Sequence, residues 1–324
     1  MRILAGDIGG TKTDLALYDG ATLTARKRYP SRDYPSLMTV AQEFLGQTTV
    51  DAAAFAVAGP VRDGFSKATN LPWEMDETTL GHALNAPVTL LNDLAAVIYG
   101  IPELDPERDL VVLAEGTREP QGVFAVVAAG TGLGEAIGVP TAGGLRVLPS
   151  EGGHSDFAPR NEIEIEMLRF LLKRHPARVS AERVLSGPGL IAVYDFVVEE
   201  GLVTANPQTR AEMLVTDPAA VIGRLGTSGE DPACERALSL FISLYGSEAG
   251  NLALKVLPTG GLFIGGGIAP KLLERLRRGD FLQALHTKGR MSDLLLGIPV
   301  SVVTSPDVAV LGARAAAKVV FARA

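Results

Sequence analysis

A glycine-rich turn between two strand-like segments occurs twice in this chain. The first is GDIGGTKT, residues 6–13, which follows the apolar segment RILA and precedes TDLALYDG, where apolar residues alternate with polar or small ones. The second lies in VFAVVAAGTGLGEAIGV, residues 123–139, about 120 residues further along. Such alternation is typical of β-strands, so each turn joins strand to strand. The repetition predicts an α/β protein with a duplicated architecture.

Neither turn fits the two commonest phosphate-binding fingerprints. A P-loop reads G-x-x-x-x-G-K-[ST] and leads straight into a helix, whereas here Thr11 stands in place of the second glycine and a strand pattern follows Lys12. A Rossmann G-x-G-x-x-G motif needs glycine at position 135, where this chain has Glu135. The two turns therefore predict a different way of holding phosphate.

The glycines suit a nucleotide ligand, because they let backbone N–H groups come close to phosphate oxygens. A third glycine-rich loop, in GLFIGGGIAPKLLERL, joins a strand to a helical pattern. Asp7 would repel phosphate directly, so we expect it to act through Mg²⁺, by way of bound water. Tight hairpins without a ligand are the alternative. The candidate nucleotide-binding residues are Gly6, Asp7, Ile8, Gly9, Gly10, Thr11, Gly130, Thr131, Gly132, Gly265, Gly266 and Gly267.

The chain has 324 residues, enough for two domains. Polar patches marked by Pro and Gly in ELDPERDLVVLAEGTREPQG predict a junction near residue 105. We expect a small N-terminal α/β domain over 1–105 and a large α/β domain over 106–305, with a C-terminal helix over about 306–324 that packs back on the small domain. A long core helix is predicted in DPACERALSLFISLYGSEAGNLALKVLP, where apolar residues recur at spacings of three and four.

Composition narrows the expected partners and location. Lys and Arg number 30 and Asp and Glu 37, a net charge of −7, which argues against nucleic acid as a partner because phosphate backbones attract basic surfaces. The single cysteine, Cys234, excludes a disulfide framework within the chain and favours the cytoplasm. We expect no membrane partner, since every long apolar stretch is interrupted by Gly, Pro or charge.

Three polar segments could carry chemistry. Asp93, which follows Asn92 at the end of the apolar PVTLL, could be a general base for an attacking hydroxyl or simply the N-cap of the helix that follows. Glu151 and His154 flank two glycines in a polar loop that could bind hydroxyl groups, belong to a metal site, or be an ordinary loop. Glu182 lies at an expected helix start, where the helix dipole alone would favour a carboxylate.

Taken in order, these segments resemble those of the bacterial glucokinase family, within the sugar kinase/actin/Hsp70 superfamily. The resemblance covers nearly the whole chain and is thinnest over residues 195–232. It implies an actin-like (ribonuclease H-like) ATPase fold, in which duplicated β-sheet and helix domains flank a cleft. The matching stretches are GDIGGTKT, LNDLAA, AAGTGLGEA, PSEGGHSDFAP, SAERVLSGPGL and GGLFIGGGIAP.

The resemblance implies that the chain phosphorylates glucose at its 6-hydroxyl with Mg·ATP, giving glucose 6-phosphate and ADP for glycolysis. GDIGGT and AGTGLG resemble the family's two phosphate motifs, and FIGGGI its adenosine motif. Asp93 would be the catalytic base and, with Asn92, would bind the sugar; Glu151, His154 and Glu182 would bind hydroxyls near the anomeric carbon. Sugar and Mg·ATP would enter from either side of a cleft that closes and expels water. The relatives are commonly homodimers.

Two other functions stay open on the sequence. One is a kinase of the same fold acting on mannose, fructose or an N-acetylhexosamine. The other is a non-catalytic sugar sensor, against which the presence of Asp93 and of both phosphate turns argues. The ROK group, whose members carry a Cys-rich zinc motif, is excluded as a close match by the single cysteine.

Overall fold

The computed structural model describes residues 1–68 and 71–323. Its strands are β1 (Arg2–Ile8), β2 (Lys12–Asp19), β3 (Thr22–Pro30), β4 (Ala52–Val57), β5 (Phe65–Lys67), β6 (Glu74–Asp76), β7 (Val88–Asn92), β8 (Leu110–Ala114), β9 (Phe124–Ala129), β10 (Leu133–Thr141), β11 (Gly144–Ser150), β12 (Gly261–Gly265) and β13 (Val300–Val303). Its α-helices are α1 (Leu37–Leu45), α2 (Glu77–Leu84), α3 (Asp93–Gly100), α4 (Pro106–Asp109), α5 (Glu162–Arg174), α6 (Gly187–Glu199), α7 (Pro207–Met213), α8 (Pro218–Ser228), α9 (Pro232–Val256), α10 (Leu273–Leu276), α11 (Asp280–His286), α12 (Ser292–Leu296) and α13 (Val308–Phe321). Short 3₁₀ turns connect several of them.

These elements form two compact units. Unit one contains Met1–Asp109 and the chain from Ser305 onward, and unit two contains Leu110–Thr304. Among the described residues, no helix combines the length and the apolar character needed to cross a membrane.

Unit one is built on a five-stranded sheet with the order β3-β2-β1-β4-β7. The hairpins β1/β2 and β2/β3 are antiparallel, whereas β1, β4 and β7 run parallel. Residues of β1 alternate between the faces, as expected for a strand buried on both sides. Ile3 and Ala5 pack under α13, and Leu4 and Ile8 pack on the opposite face. The C-terminal helix therefore completes the core that the first strand begins.

Unit two repeats this order and direction of strands. Its sheet runs β11-β10-β9-β12-β13-β8, with antiparallel β9/β10 and β10/β11 and parallel β9, β12 and β13. Among the described residues, the antiparallel edge strand β8 of this sheet has no counterpart in the sheet of unit one. Both glycine turns of the sequence close the equivalent hairpin, β1/β2 in one unit and β9/β10 in the other. The duplicated architecture expected from the sequence is confirmed.

The predicted long core helix is α9, which packs against α6, α8 and α11. Its N-cap is Asp231, whose carboxylate accepts a hydrogen bond of 2.9 Å from the N–H of Cys234, and Pro232 occupies the first helical position. After β12, by contrast, the predicted helical pattern is broken into a 3₁₀ turn over Ala269–Leu272 and the one-turn α10. Pro270 lies inside that turn, where it cannot donate a backbone hydrogen bond.

Candidate functional site

The first glycine turn is held by hydrogen bonds from outside the hairpin. Within the turn, Gly9 N–H donates to Lys12 O at 3.0 Å. Ser31, the residue directly after β3, also holds the turn: its hydroxyl donates to Gly9 O at 2.8 Å and its N–H to Thr11 O at 3.0 Å. Sequence reasoning missed Ser31, because a lone serine after a strand carries no motif. The result is a fixed loop whose glycines stay accessible to a ligand.

The candidates of this turn divide by position. Gly9, Gly10 and Thr11 form the turn itself, whereas Gly6 and Ile8 lie in the buried strand β1. A Cβ on Gly6 would lie 2.7 Å from Phe55 Cδ1, so this glycine is required by packing. Gly6 and Ile8 therefore support the turn from the core.

Asp7 lies on β1 just before the turn. Burial, and then the charges of Asp93 and Asp14, raise the pKa of Asp7 to about 6, against the opposing charges of Arg28 and Lys12. A second carboxylate in a poorly solvated place makes the anionic form of Asp7 costly. The site is thus one where a cation would be favoured.

Asn92 and Asp93 meet the turn at the same sheet edge. The parallel register places Ile8 opposite Val57 and Val57 opposite Asn92, so the carboxyl ends of β1, β4 and β7 are level. Asn92 is the N-cap of α3: its Oδ1 accepts from Leu94 N at 3.0 Å and Ala95 N at 3.4 Å, and its Nδ2 donates to Gly59 O at 3.2 Å.

This arrangement assigns the cap, a role that the sequence had left open for Asp93, to Asn92. Because Asn92 makes the cap, the carboxylate of Asp93 is one residue further on, in the first turn of α3, where the helix dipole favours its charge. Its Oδ1 accepts from Leu94 N at 2.8 Å. Asp93 is therefore not the capping residue, and its position beside Asp7 needs another explanation.

In unit two, the structure brings together Glu151, His154 and Glu182. His154 Nε2 is 3.9 Å from Glu151 Oε2, and His154 Nδ1 is 4.0 Å from Glu182 Oε1. The three side chains are 86%, 52% and 29% exposed in that order, so the cluster opens to solvent. Two carboxylates and an imidazole arranged this way offer hydrogen bonds to several neighbouring hydroxyls at once.

Tight local contacts shape the loop that carries Glu151 and His154. Ser150 Oγ accepts from Gly152 N at 2.9 Å, and His154 N donates to Glu151 O at 2.9 Å, which closes a 3₁₀ turn over Gly152–His154. A Cβ on Gly153 would lie 2.0 Å from Leu133 O. The two glycines of EGGH are therefore required because the loop lies directly on β10.

Glu182 also contacts the second glycine turn. Its Oε2 accepts a hydrogen bond of 3.0 Å from Leu133 N, and a Cβ on Gly132 would lie 2.6 Å from that same oxygen. The turn is closed by Gly130 N donating to Gly132 O at 2.8 Å, and Gly187 N donates to Gly130 O at 2.8 Å. One carboxylate thus joins the polar cluster to the glycine turn.

A pocket of about 460 Å³ in unit two opens beside this turn. Of the three glycines in the third loop, Gly267 lines the pocket, whereas Gly265 ends β12 in the core and Gly266 adopts φ +80° against Ala129 O, where only glycine fits. The pocket is lined by Gly130, Thr131, Gly187, Pro188, Leu190, Ile191, Asp217, Ala219, Ala220, Gly223, Gly267, Ile268, Lys271 and Leu272.

The wall formed by α8 and by Asp217, its N-cap, was not predicted. It lies in the stretch over 195–232 where the resemblance is thinnest. Its contribution is shape: Ala219, Ala220 and Gly223 leave room, and such residues carry no chemical motif. The one signal in the sequence is the run of small residues after a capping aspartate. A pocket of mostly apolar wall with a few backbone donors at its mouth suits a nucleoside.

A larger groove of about 660 Å³ in unit two contains none of the predicted site residues. It is bordered by Arg160, Arg236, Asp280 and Gln283 and is open to solvent. Volume alone therefore does not identify the site, and the smaller pocket is favoured because it contains the glycine turn.

Comparison with known proteins identifies the family and the fold. The Glucokinase family model matches residues 4–320. A glucokinase from Nostoc sp. strain PCC 7120 is 43% identical, over 96% of this chain and 97% of the relative. The crystal structure of a glucokinase from an Antarctic psychrotroph superposes with a TM-score of 0.87 at 35% identity, covering 98% of both chains.

A solved structure with lower sequence identity has a similar fold. The ROK family glucokinase from Streptomyces griseus, crystallised in complex with glucose and AMPPNP, has a TM-score of 0.65 at 18% identity, with 98% of this chain and 99% of that chain covered. At that identity the likeness concerns the fold alone. The actin-like ATPase fold expected from the sequence is confirmed.

Proposed function

Because the chain belongs to the glucokinase family, we propose that it transfers the γ-phosphoryl group of ATP to the 6-hydroxyl of glucose, giving glucose 6-phosphate and ADP. The observation that carries the proposal is the placement of Asp93 beside Asp7, at the sheet edge where the first glycine turn lies. A base next to a phosphate-binding turn is the arrangement that phosphoryl transfer to an alcohol needs.

In this proposal Asp93 orients the 6-hydroxyl and accepts its proton as the oxygen bonds to the γ-phosphorus. The bond from that phosphorus to the β,γ-bridging oxygen breaks, and ADP leaves with the electron pair. Asn92 contributes in two ways. Its cap fixes the first turn of α3, and the second hydrogen of its amide is suited to a neighbouring sugar hydroxyl.

Glu151, His154 and Glu182 bind the hydroxyls at the other end of the sugar. Each carboxylate accepts hydrogen bonds, and the imidazole can donate or accept according to its tautomer. Such a cluster favours a substrate that presents several adjacent hydroxyls, because each hydroxyl then finds a partner. The proposal is supported by the position of His154, whose ring nitrogens lie within 4.0 Å of a carboxylate oxygen of Glu151 and of Glu182.

The pocket beside Gly130 receives the adenosine of ATP. Its small residues on α8 leave room for the base, and the backbone of Gly130–Gly132 faces the phosphates from its mouth. ATP as the donor is supported by the Glucokinase family match.

Asp7 fits a magnesium ion held through water. Mg²⁺ usually takes one or two carboxylates together with substrate phosphates, and within the described residues no group of three acidic, His or Cys side chains forms a site of its own. The buried carboxylate of Asp7 has an acidic neighbour, so a divalent cation would relieve its charge. When bound, the ion would offset negative charge on the β- and γ-phosphates.

We further propose a cytoplasmic homodimer that serves glycolysis. The location is supported by Cys234, which is free and buried, and by the absence of any disulfide that this single cysteine could form within one chain. The dimer is an extension from the family and is checked by sedimentation of the purified protein.

The test of the reaction is Asp93→Asn in an ADP-release assay with Mg·ATP. Turnover with glucose is expected to fall by about 10²–10⁴-fold, the usual worth of a general base, while calorimetry shows glucose binding retained. The matched control is Asp76→Asn, since Asp76 is also an aspartate at a helix start in unit one and asparagine caps as well. Near-normal turnover in Asp93→Asn contradicts the proposal, as does stronger turnover of the wild type with mannose, fructose or N-acetylglucosamine.

A further inference from the structure

A buried glutamate lies beneath the loop that carries Glu151 and His154. Glu135 is on β10, two residues after Leu133, and is 2% exposed. Its Oε2 lies 1.9 Å from the place where a Cβ on Gly152 would be, so the carboxyl group fills the space below that glycine. The register of β10 and β11 pairs Glu135 with Ser150, whose hydroxyl accepts from Gly152 N. The carboxyl group thus supports the start of the loop.

The other carboxyl oxygen of Glu135 indicates an interaction with Glu248. Glu135 Oε1 is buried without a hydrogen-bond donor among the described residues, and so is Oε1 of Glu248 on α9. Two buried carboxyl groups satisfy such oxygens when they share one proton. Burial, and then the charge of Glu248 and a hydrogen bond with it, raise the pKa of Glu135 to about 7, against the opposing charge of Lys255.

The two carboxyl groups have different neighbours. Glu248 Oε2 accepts from Asn251 Nδ2 at 2.9 Å, and Lys255 Nζ is 3.9 Å from Glu248 Oε1. Lys288 Nζ in turn donates to Asn251 Oδ1 at 2.5 Å. These donors and cations face Glu248, whereas the pKa of Glu135 is raised, so the proton is assigned to Glu135.

We propose that Glu135 is a positioning residue for the sugar: its protonated carboxyl group, hydrogen-bonded to Glu248, holds Gly152 and thereby orients Glu151 and His154. The inference rests on the proposed function of that loop. Glu135 does not touch the substrate. It acts through the backbone of the loop that carries Glu151 and His154, which rests on the carboxyl group of Glu135 at Gly152.

Loss of the proton would disturb the loop. Two adjacent buried carboxylates repel each other and lack solvent, so Glu135 would move towards water and release Gly152. Because the pKa of Glu135 is raised, the neutral form is complete at low pH and is lost as the pH rises through about 7. The charged groups near the pair are Glu248, Lys255 and Lys288, with Arg160 and Glu164 beyond Lys288 and Glu151 and His154 on the loop itself.

The test is the KM for glucose and the KM for ATP between pH 6 and 8.5, in the wild type and in Glu135→Gln, which is neutral at every pH and nearly the same shape. In the wild type the KM for glucose is expected to rise at least about threefold above pH 7, while the KM for ATP changes little. In Glu135→Gln the rise is expected to disappear. His154 is present in both proteins, so a difference between the two profiles is due to the substitution at Glu135. Glu166→Gln, on the exposed side of α5, is the control and should follow the wild type.

The inference is overturned if the KM for glucose rises with pH to the same extent in the wild type and in Glu135→Gln. Glu248→Gln gives a second, independent reading: without the charge of Glu248, Glu135 meets no neighbouring carboxylate, so the rise in KM above pH 7 should be lost, and an unchanged rise also overturns the inference. Glucose binding by calorimetry across the same pH range separates the two proposals. If glucose binds but is not phosphorylated, the proposed reaction fails while the pH dependence of binding still tests Glu135; if glucose does not bind, both fail.

Discussion

Replacing Gly132 with alanine should weaken glucose binding even though this residue belongs to a phosphate-binding turn. The added methyl group would lie 2.6 Å from Glu182 Oε2, well inside contact distance, and the far end of that side chain is the part that can move. Moving it breaks the 3.0 Å bond from Leu133 N and draws Glu182 away from His154. Sugar affinity should therefore fall through a displaced carboxylate.

The size of the effect follows from the hydrogen bond that the displaced Glu182 no longer accepts from the sugar. A hydrogen bond to a charged acceptor contributes about 1.5–3 kcal/mol, and Glu182 is 29% exposed, which places it at the lower end. About 1.5 kcal/mol corresponds to an increase of roughly tenfold in the dissociation constant for glucose. Calorimetry with glucose measures it directly, and the KM for ATP should change less.

Gly130→Ala is the matched control for this experiment. Neither glycine lies in the left-handed region of backbone space, so alanine strains neither backbone. A methyl group on Gly130 would meet no heavy atom closer than Gly267 N at 4.0 Å and would point into the nucleotide pocket. Gly130→Ala should therefore affect ATP and spare glucose. Equal glucose affinities in the two variants would refute the link through Glu182.

Two further substitutions test the pocket and the core of unit one. Ala220→Phe should raise the KM for ATP by about tenfold, because the ring occupies part of a 460 Å³ cavity. The control Leu214→Phe, at a position that is 86% exposed, should leave the KM for ATP unchanged. An unchanged KM for ATP in Ala220→Phe would place the nucleotide elsewhere. Gly312→Ala should lower the free energy of unfolding by about 2 kcal/mol or more in urea titrations, because its methyl group would lie 1.7 Å from Ala96 O. Gly297→Ala, whose nearest contact is 3.5 Å, should cost little, and similar losses in both would contradict the packing argument.

Much of the fold could be predicted because its signals are local. The two hairpins and α9 follow from residue spacing and from glycines and prolines at their ends, which the structure repeats closely: the C-terminal helix expected over about 306–324 is Val308–Phe321. The helix expected after β12 was wrong in extent, since periodicity continues through Pro270 although the backbone does not. Local pattern predicts which segments are regular better than where they end.

The site was harder to predict where it depends on contacts between distant segments. Asn92 and Asp93 are both good N-caps, so the sequence could not decide between them, and only the hydrogen bonds to Leu94 and Ala95 assign the role to Asn92. In the sequence, Glu135 served only to exclude a Rossmann motif, because it stands where that motif needs glycine. Its meaning depends on Glu248, which is far along the chain and becomes its neighbour only when α9 packs on the sheet.

The position of α13 has a consequence for the order in which the protein can be completed during synthesis. The alanines of this helix cover the face of β1 and β4, among the first strands made, yet α13 is made after every residue of unit two. Unit two is one continuous segment and can fold as it leaves the ribosome. In unit one, Ile3, Ala5 and Ala54 stay exposed to solvent until α13 has been synthesised. The sheet of unit one is therefore the part of the growing chain that most needs protection from aggregation.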